Sequence, residues 1–202
     1  MIAIITGDII DSENYKSSEW LDILKDYLSQ LGESPKDWEI YRGDEFQLKT
    51  RQEEALKTAI HIKALIKSIK GLDVRMGIGL GTQTYSGASV SESNGPAYHR
   101  SGRTFESLKE EKVNMTIATG NDFFDETFNL MLKFALSIMD DWSQVSAEIV
   151  VKALENSEAS QKEIAKELHI QQSAVSQRQK RARLDLVFEL LDYYLKILKE
   201  LR

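Results

Sequence analysis

Two aspartates near the N-terminus have the chemistry to hold a divalent cation between them. Asp8 follows an apolar run at residues 2–6, and Asp44 stands in the short segment Tyr41-Arg42-Gly43-Asp44-Glu45-Phe46-Gln47. Gly43 permits the positive φ that a tight hairpin requires, so Asp44 is expected at or beside the hairpin tip. If the first strand lies beside this hairpin, the two carboxylates converge on one metal ion. The simpler interpretation is that both are ordinary turn acids.

A second group of residues, near the C-terminus, favours DNA binding. Ser160-Gln161-Lys162-Glu163 has the pattern of a capping box, and a turn at His169-Ile170 precedes a helix predicted over 171–183. That helix contains no acid, although the chain carries a net charge of -6. Its glutamine, serine and basic side chains suit base edges and phosphates. The alternative is a solvated basic helix in a bundle. The candidate DNA-binding residues are Gln172, Ser173, Ser176, Gln177, Arg178, Lys180, Arg181 and Arg183.

Composition limits the class of protein. With 202 residues, 42% of them hydrophobic and 29% charged, the chain is long enough for one good core or two small ones. The absence of cysteine excludes disulfides and thiolate metal sites. The acidic balance argues against a wholly basic nucleic-acid coat. No signal-peptide pattern is present, and no apolar stretch approaches the roughly 20 residues that span a bilayer. A cytoplasmic protein without a membrane partner is expected.

Hydrophobic periodicity predicts the elements that position the two aspartates. Strands are predicted at 2–10, in a hairpin at 38–49, and at 73–81 and 113–119. Helices are predicted from Ser17 to Gly32, from the capping-box pattern Thr50-Arg51-Gln52-Glu53 to Gly71, and over 97–109. The strand at 73–81 has glycine on one face, which leaves room for a backbone, a helix or a ligand.

This order of elements predicts an α+β domain over residues 1–120, with helices against a mostly antiparallel sheet. No strand pattern follows Gly120. A linking helix is predicted over 121–142 and an all-α domain over 143–202. The final helix has one apolar stripe through Leu184, Leu191 and Leu198 and a second beside it. A core helix is the commoner explanation of such stripes, but a homodimer is expected because helix-turn-helix proteins usually read two half-sites.

Three segments together resemble the class III nucleotidyl cyclase and GGDEF (diguanylate cyclase) superfamily. Gly7-Asp8-Ile9-Ile10-Asp11-Ser12 resembles its first-strand motif, and Arg42-Gly43-Asp44-Glu45-Phe46 resembles the GGDEF hairpin with arginine in place of the first glycine. Arg75-Met76-Gly77-Ile78-Gly79-Leu80-Gly81 resembles its glycine-rich strand. The whole chain resembles the SatD family, small bacterial proteins joining such a domain to a helix-turn-helix. The resemblance implies a ferredoxin-like or palm-type sandwich followed by a helix-turn-helix domain.

The resemblance also implies two-metal phosphoryl transfer, with Mg²⁺ or Mn²⁺ held by Asp8 and Asp44. Arg103 takes the position of the catalytic arginine of the family, and His99 stands where asparagine is expected. Residues implied in binding the nucleotide cofactor or its metal are Ile9, Arg42, Gly43, Glu45 and His99. Arg42 crowds the position at which GGDEF enzymes seat guanine, and no base-selecting lysine precedes the hairpin. These departures favour nucleotide binding over turnover.

Three functions remain open at this stage. The first is a DNA-binding transcriptional regulator whose cyclase-like domain senses a metal or an unidentified nucleotide. The alternative is a magnesium-dependent nucleotidyl cyclase or related phosphoryl-transfer enzyme that uses Asp8 and Asp44. The third is a protein-binding adaptor in which both motifs are relics. His61 and His169 are expected to be helix-surface or turn residues rather than ligands.

Overall fold

The computed structural model describes residues 1–41 and 43–200. These residues form one five-stranded sheet and eight α-helices, which confirms the predicted α+β class. The strands are β1 (Ile2–Ile10), β2 (Trp38–Tyr41), β3 (Glu45–Arg51), β4 (Asp73–Gly81) and β5 (Met115–Ala118). The helices are α1 (Leu21–Leu31), α2 (Ala55–Lys67), α3 (Pro96–Glu111), α4 (Asp122–Met139), α5 (Gln144–Glu155), α6 (Gln161–Glu167), α7 (Gln172–Ala182) and α8 (Leu184–Leu198).

The sheet has the strand order β2-β3-β1-β4-β5, with β1 in the centre. β1 pairs antiparallel with β3 and with β4, and β5 runs parallel to β4. A central strand covered on both faces reads as a continuous apolar run, which explains the isoleucine-rich sequence of β1. The register aligns Asp8 with Glu45 on β3 and with Arg75 on β4. These three residues therefore form one row across the sheet.

The glycine face of β4 is covered by helix α3. Ser101 Oγ donates a hydrogen bond of 2.8 Å to the carbonyl of Gly77 and lies 2.8 Å from Thr6 Oγ1, within hydrogen-bonding distance. A Cβ on Gly79 would lie 2.2 Å from the carbonyl oxygen of Ala97, so only glycine permits this approach. The sequence left open whether a backbone, a helix or a ligand lies against this face, and the structure shows a helix.

The capping box predicted at Thr50-Arg51-Gln52-Glu53 is wrong. Thr50 and Arg51 belong to β3, paired with Ala3 and Ile2 of β1, and α2 begins only at Ala55. The central strand offers unpaired backbone groups along its whole length, and pairing with them outweighs a local cap. By contrast, the box at Ser160 and Glu163 is present and starts α6.

Helix α2 lies between the sheet and the C-terminal helices. It contacts β1 and β4 on one side and α5 and α8 on the other. One cluster of buried apolar side chains accordingly runs from Ile5 of the sheet through Val150 of α5 to Leu191 of α8. His61 lies inside α2 and is 5% exposed, so its prediction as a helix-surface residue is wrong. The helix is enclosed on both sides, a condition that helical periodicity does not reveal.

Candidate functional site

The row Glu45–Asp8–Arg75 is the centre of the first candidate site. Arg75 Nε donates to Asp8 Oδ1 at 2.9 Å, and its Nη2 donates to Asp8 Oδ2. Lys109 Nζ, at the C-terminal end of α3, lies 3.8 Å from the same Oδ2. Asp8 is 6% exposed, so its charge is compensated by these two cations rather than by water. The hydrogen bond to Asp8, followed by the charges of Asp8, Asp44 and Asp11, raises the pKa of Arg75 above its ordinary value.

Asp44 occupies the hairpin tip as predicted, directly after Gly43, whose φ is +93°. Its Oδ2 accepts a hydrogen bond of 2.7 Å from Ser12 Oγ, and its carbonyl accepts one of 3.3 Å from the Ile9 N–H. The end of β1 and the hairpin tip are thus tied together. The charges of both Asp8 and Asp44 act on the Arg75 guanidinium. The two predicted acids therefore do approach a common cation, but this cation is the side chain of an arginine.

A metal ion must compete with these contacts. Both oxygens of Asp8 bind Arg75, and one oxygen of Asp44 accepts from Ser12. Within residues 1–41 and 43–200, no group of three or more His, Cys, Asp or Glu residues is arranged to hold a metal. As arranged, these side chains do not fit a two-metal centre, because a metal at Asp8 requires Arg75 to leave. The metal assignment stays a prediction.

The remaining predicted residues of this site are dispersed. Glu45 faces the same side of the sheet as Asp8, whereas the Ile9 side chain is buried on the opposite side, in the apolar core. His99 and Arg103 are exposed on α3. Since Lys109 of that helix reaches Asp8 and His99 lies ten residues earlier, the distance along the helix is about 15 Å. Arg42 lies outside the described residues.

Sequence reasoning missed Arg75, Lys109 and Ser12. Arg75 alternates with the glycines of β4 and therefore lies on the face of the strand that α3 covers. This alternation is visible in the sequence and could have identified Arg75. Its pairing with Asp8, 67 residues away in the chain, depends on strand register, which the sequence did not specify.

Helix α7 carries the second candidate site. A four-residue connection, 168–171, joins it to α6, and the Ile170 N–H donates to the Ala165 carbonyl at 3.0 Å. His169 has φ +52° in this connection, which accords with its prediction as a turn residue. Ile164 and Val175 are buried between the two helices and α5. Packing therefore fixes the angle at which α7 leaves the turn.

Seven of the eight predicted DNA-binding residues are exposed. They are Gln172, Ser173, Ser176, Gln177, Lys180, Arg181 and Arg183. Arg178 differs, because its Nη1 forms a 2.7 Å ion pair with Glu148 Oε2 of α5. The seven residues leave an exposed surface with basic, amide and hydroxyl groups and no carboxylate within 171–183. We call the exposed set from Gln172 to Arg181 the α7 face.

The molecule is thus a mixed α+β protein. One apolar core joins the sheet, which carries the row Glu45–Asp8–Arg75, to α7, which carries the exposed basic side chains. The model of the SatD family matches residues 1–192, and the chain belongs to the SatD family. Comparison with curated proteins gives no match. None of the helices in the described part of the chain has the length and hydropathy needed to cross a membrane.

Proposed function

We propose that the protein is a DNA-binding transcriptional regulator in which α6 and α7 act as a helix-turn-helix. The observation that supports this most directly is the α7 face. Its first turns carry amide and hydroxyl groups that suit base edges, and its last turn carries Lys180 and Arg181, which suit phosphates. Helix α6 exposes Lys162 and Lys166 together with Glu163 and Glu167, so the net positive charge of this unit lies on α7. A basic helix packed over a rigid turn is the geometry that enters a major groove.

Salt dependence tests this proposal. Each phosphate that a lysine or arginine neutralises contributes about 0.9 to the slope of log affinity against log salt concentration. Lys180→Ala and Arg181→Ala should therefore each reduce the slope by about 0.9 on any duplex. Arg178→Ala is the matched control: it removes the same charge from the same helix, but that charge is held by Glu148. The assignment would be contradicted if Lys180→Ala and Arg181→Ala left the slope unchanged, or if Arg178→Ala reduced it by the same amount.

We extend the proposal to a homodimer formed through α4 and α8. An open groove of about 680 Å³ lies between these helices, lined mainly by apolar side chains and also by Glu189, Asp192 and Lys196. Phe134 on α4 is 70% exposed, and Leu186 and Tyr193 of α8 are also exposed. The groove carries both Asp192 and Lys196, so a two-fold arrangement can pair the lysine of one copy with the acid of the other. A second copy is therefore the occupant that we propose.

Sedimentation measurements test the dimer. Phe134→Asp should convert a dimer into a monomer, because it buries a carboxylate in an apolar interface. Leu130→Asp serves as the control, since Leu130 is an exposed apolar residue of α4 beside α3 rather than in the groove. A wild-type monomer at all concentrations would refute the dimer without touching DNA binding.

For the N-terminal domain we propose a nucleotide-sensing role, and the enzyme remains the alternative. The strand order β4-β1-β3-β2 is the one that a palm-type βαββαβ unit produces, which supports the cyclase-like interpretation. The convergence of Asp8, Asp44 and Asp11 around the Arg75 guanidinium gives the site both charge signs. Such a site suits a charged ligand, with or without a divalent metal.

A product assay separates sensor from enzyme. Wild-type protein and Asp44→Asn are incubated with Mg²⁺ or Mn²⁺ and either ATP or GTP, and products and bound nucleotide are identified by mass spectrometry. A cyclic nucleotide or dinucleotide that disappears in Asp44→Asn would establish the enzyme. Bound nucleotide without product is the expected result and would leave a sensor. If the assay detects no product and no bound nucleotide, both roles are excluded.

A further inference from the structure

Three glutamines form a continuous hydrogen-bonded chain across the turn between α6 and α7. Gln172 Nε2 donates to Gln161 Oε1 at 2.7 Å, and Gln161 Nε2 donates to Gln179 Oε1 at 2.7 Å. Gln161 and Gln172 are the first residues of α6 and α7, respectively. The amide of Gln161 is therefore fixed at both ends by residues of the neighbouring helix, and it in turn fixes the side chain of Gln172.

Gln172 retains hydrogen-bonding capacity after this contact. A glutamine amide has two N–H donors and a carbonyl oxygen with two lone pairs, and Gln172 uses one N–H for Gln161. The other N–H and the oxygen are available, and the residue is exposed. A held amide at the start of an exposed helix thus presents one donor and one acceptor outward with reduced rotamer freedom. Ordering such a side chain before binding lowers the entropic cost of the contact.

We propose that Gln172 is a specificity-determining residue that reads an adenine in the major groove, and that Gln161 is the positioning residue that holds it. Adenine presents the N7 acceptor and the N6 donor there, the pattern that a glutamine amide matches with two hydrogen bonds. This inference rests on the proposed DNA-binding function and adds to it a base preference and a residue of α6. Gln177 provides the contrast: it is exposed on α7, but no hydrogen bond holds its side chain in the described structure.

The experiment uses the full-length chain and a pool of duplexes with a randomised centre. Bound duplexes are selected and sequenced, and affinity is then measured for the selected duplex and for copies with 7-deazaadenine at each adenine in turn. The deaza base lacks the N7 acceptor but keeps its Watson–Crick pairing. We expect the wild type to lose roughly 2- to 13-fold in affinity at one adenine, the contribution of the single hydrogen bond that the deaza base removes.

Variants assign that loss to the two glutamines. Gln172→Ala should bind the natural duplex more weakly, with no further loss on the deaza copy. Gln161→Ala should reduce the ratio between natural and deaza affinities, whereas a role in folding alone would weaken binding to both duplexes equally. Gln161→Glu keeps the oxygen that accepts from Gln172, so the ratio should be retained. Gln30→Ala, an exposed glutamine on α1, is the control and should behave as wild type.

The outcomes distinguish this inference from the function on which it rests. A wild type that binds duplexes but tolerates 7-deazaadenine everywhere would overturn the adenine contact and leave the regulator intact. A Gln172→Ala variant that keeps the discrimination would overturn the assignment to this residue. A wild type that binds no duplex in the pool would overturn the DNA-binding proposal and this inference together.

Discussion

At the scale of single residues, the buried carboxylate of Asp8 is compensated by the charged side chains around it. It sits on a covered strand, and Arg75 engages both of its carboxylate oxygens. A carboxylate with so little exposure requires a partner, because the loss of hydration costs several kcal/mol per ion in a protein interior. Removal of either partner should therefore destabilise the fold, whatever ligand the site binds.

Arg75→Ala should lower the free energy of unfolding by about 3 kcal/mol at neutral pH, because it leaves the Asp8 carboxylate with only Lys109 nearby. Urea unfolding measures the effect. Arg103→Ala is the control, since Arg103 is exposed on α3 and should change the stability by less than about 0.5 kcal/mol. Equal effects of the two variants would contradict the buried pair.

His61 predicts a pH dependence. Burial lowers its pKa from 6.5 to about 4, and its ring lies 4.2 Å from that of Tyr27. Between these pH values the unfolded chain binds a proton that the folded chain does not, so stability falls as the pH drops from 6.5 to about 4. The total effect is roughly 3 kcal/mol.

The measurement is urea unfolding across that pH range. His61→Phe keeps an aromatic ring and should flatten the dependence, whereas His99→Gln, at an exposed histidine, should leave it unchanged. Parallel pH profiles of the wild type and His61→Phe would show that the pKa of His61 is the same in the folded and the unfolded chain, and would contradict the effect of burial.

At the scale of elements, helix α3 packs against the glycine face of β4 and covers that face of the sheet. The helix comes close enough for its backbone to meet strand glycines, and its far end delivers Lys109 to Asp8. The sheet edge at β5 is protected by α4, because Asn129 donates to the Ile117 carbonyl and accepts from the Ile117 N–H. Side chains of one helix thus satisfy an edge strand that would otherwise be open to pairing.

Two alanine substitutions test the contact between α3 and β4. Gly79→Ala should destabilise the protein by about 3 kcal/mol, because the new Cβ would lie 2.2 Å from the Ala97 carbonyl oxygen. Gly102→Ala, in α3 with nothing within 4 Å of its Cβ position, should stabilise it by about 0.5–1 kcal/mol through helix propensity. Thermal unfolding gives both values. If Gly79→Ala were neutral, α3 would have to sit further from the sheet.

At the scale of the whole molecule, a buried ion network joins the sheet to the C-terminal helices. Lys63 is fully buried on α2, and its Nζ lies 2.7 Å from Asp73 of β4 and 2.7 Å from Asp140 at the end of α4. Lys67 Nζ adds contacts to Asp73 at 3.1 Å and to the Asp140 carbonyl at 2.6 Å. Together with the shared apolar core, this network should make the two predicted domains unfold as one unit.

Asp73→Ala should reduce the free energy of unfolding by about 3–5 kcal/mol, because it removes a partner of a buried ammonium group. Circular dichroism and tryptophan fluorescence should report the same shifted transition. Asp141→Ala, at the exposed acid next to Asp140, is the control and should have little effect. Two separate transitions, with only one of them shifted by Asp73→Ala, would show that the predicted domains unfold independently.

Local features of the chain were readable from the sequence because each depends on neighbouring residues. The apolar run of β1, the positive φ of Gly43 and the capping box at Ser160 and Glu163 are all of this kind. Each follows from backbone sterics or from hydrogen bonds that span a few residues. The basic character of α7 belongs to the same class, since charge is a property of composition.

Contacts between distant residues were decided only by the tertiary structure. Strand register brought Arg75 to Asp8, and helix packing brought Glu148 to Arg178, which is therefore only partly exposed. Thr50, which locally resembles a helix cap, was drawn into β3 by pairing with the central strand. Periodicity identifies which face of an element is apolar, but a register shift or a neighbouring helix determines which polar groups meet. That is why the sequence identified Asp8 as chemically significant and the fold alone assigned it a partner.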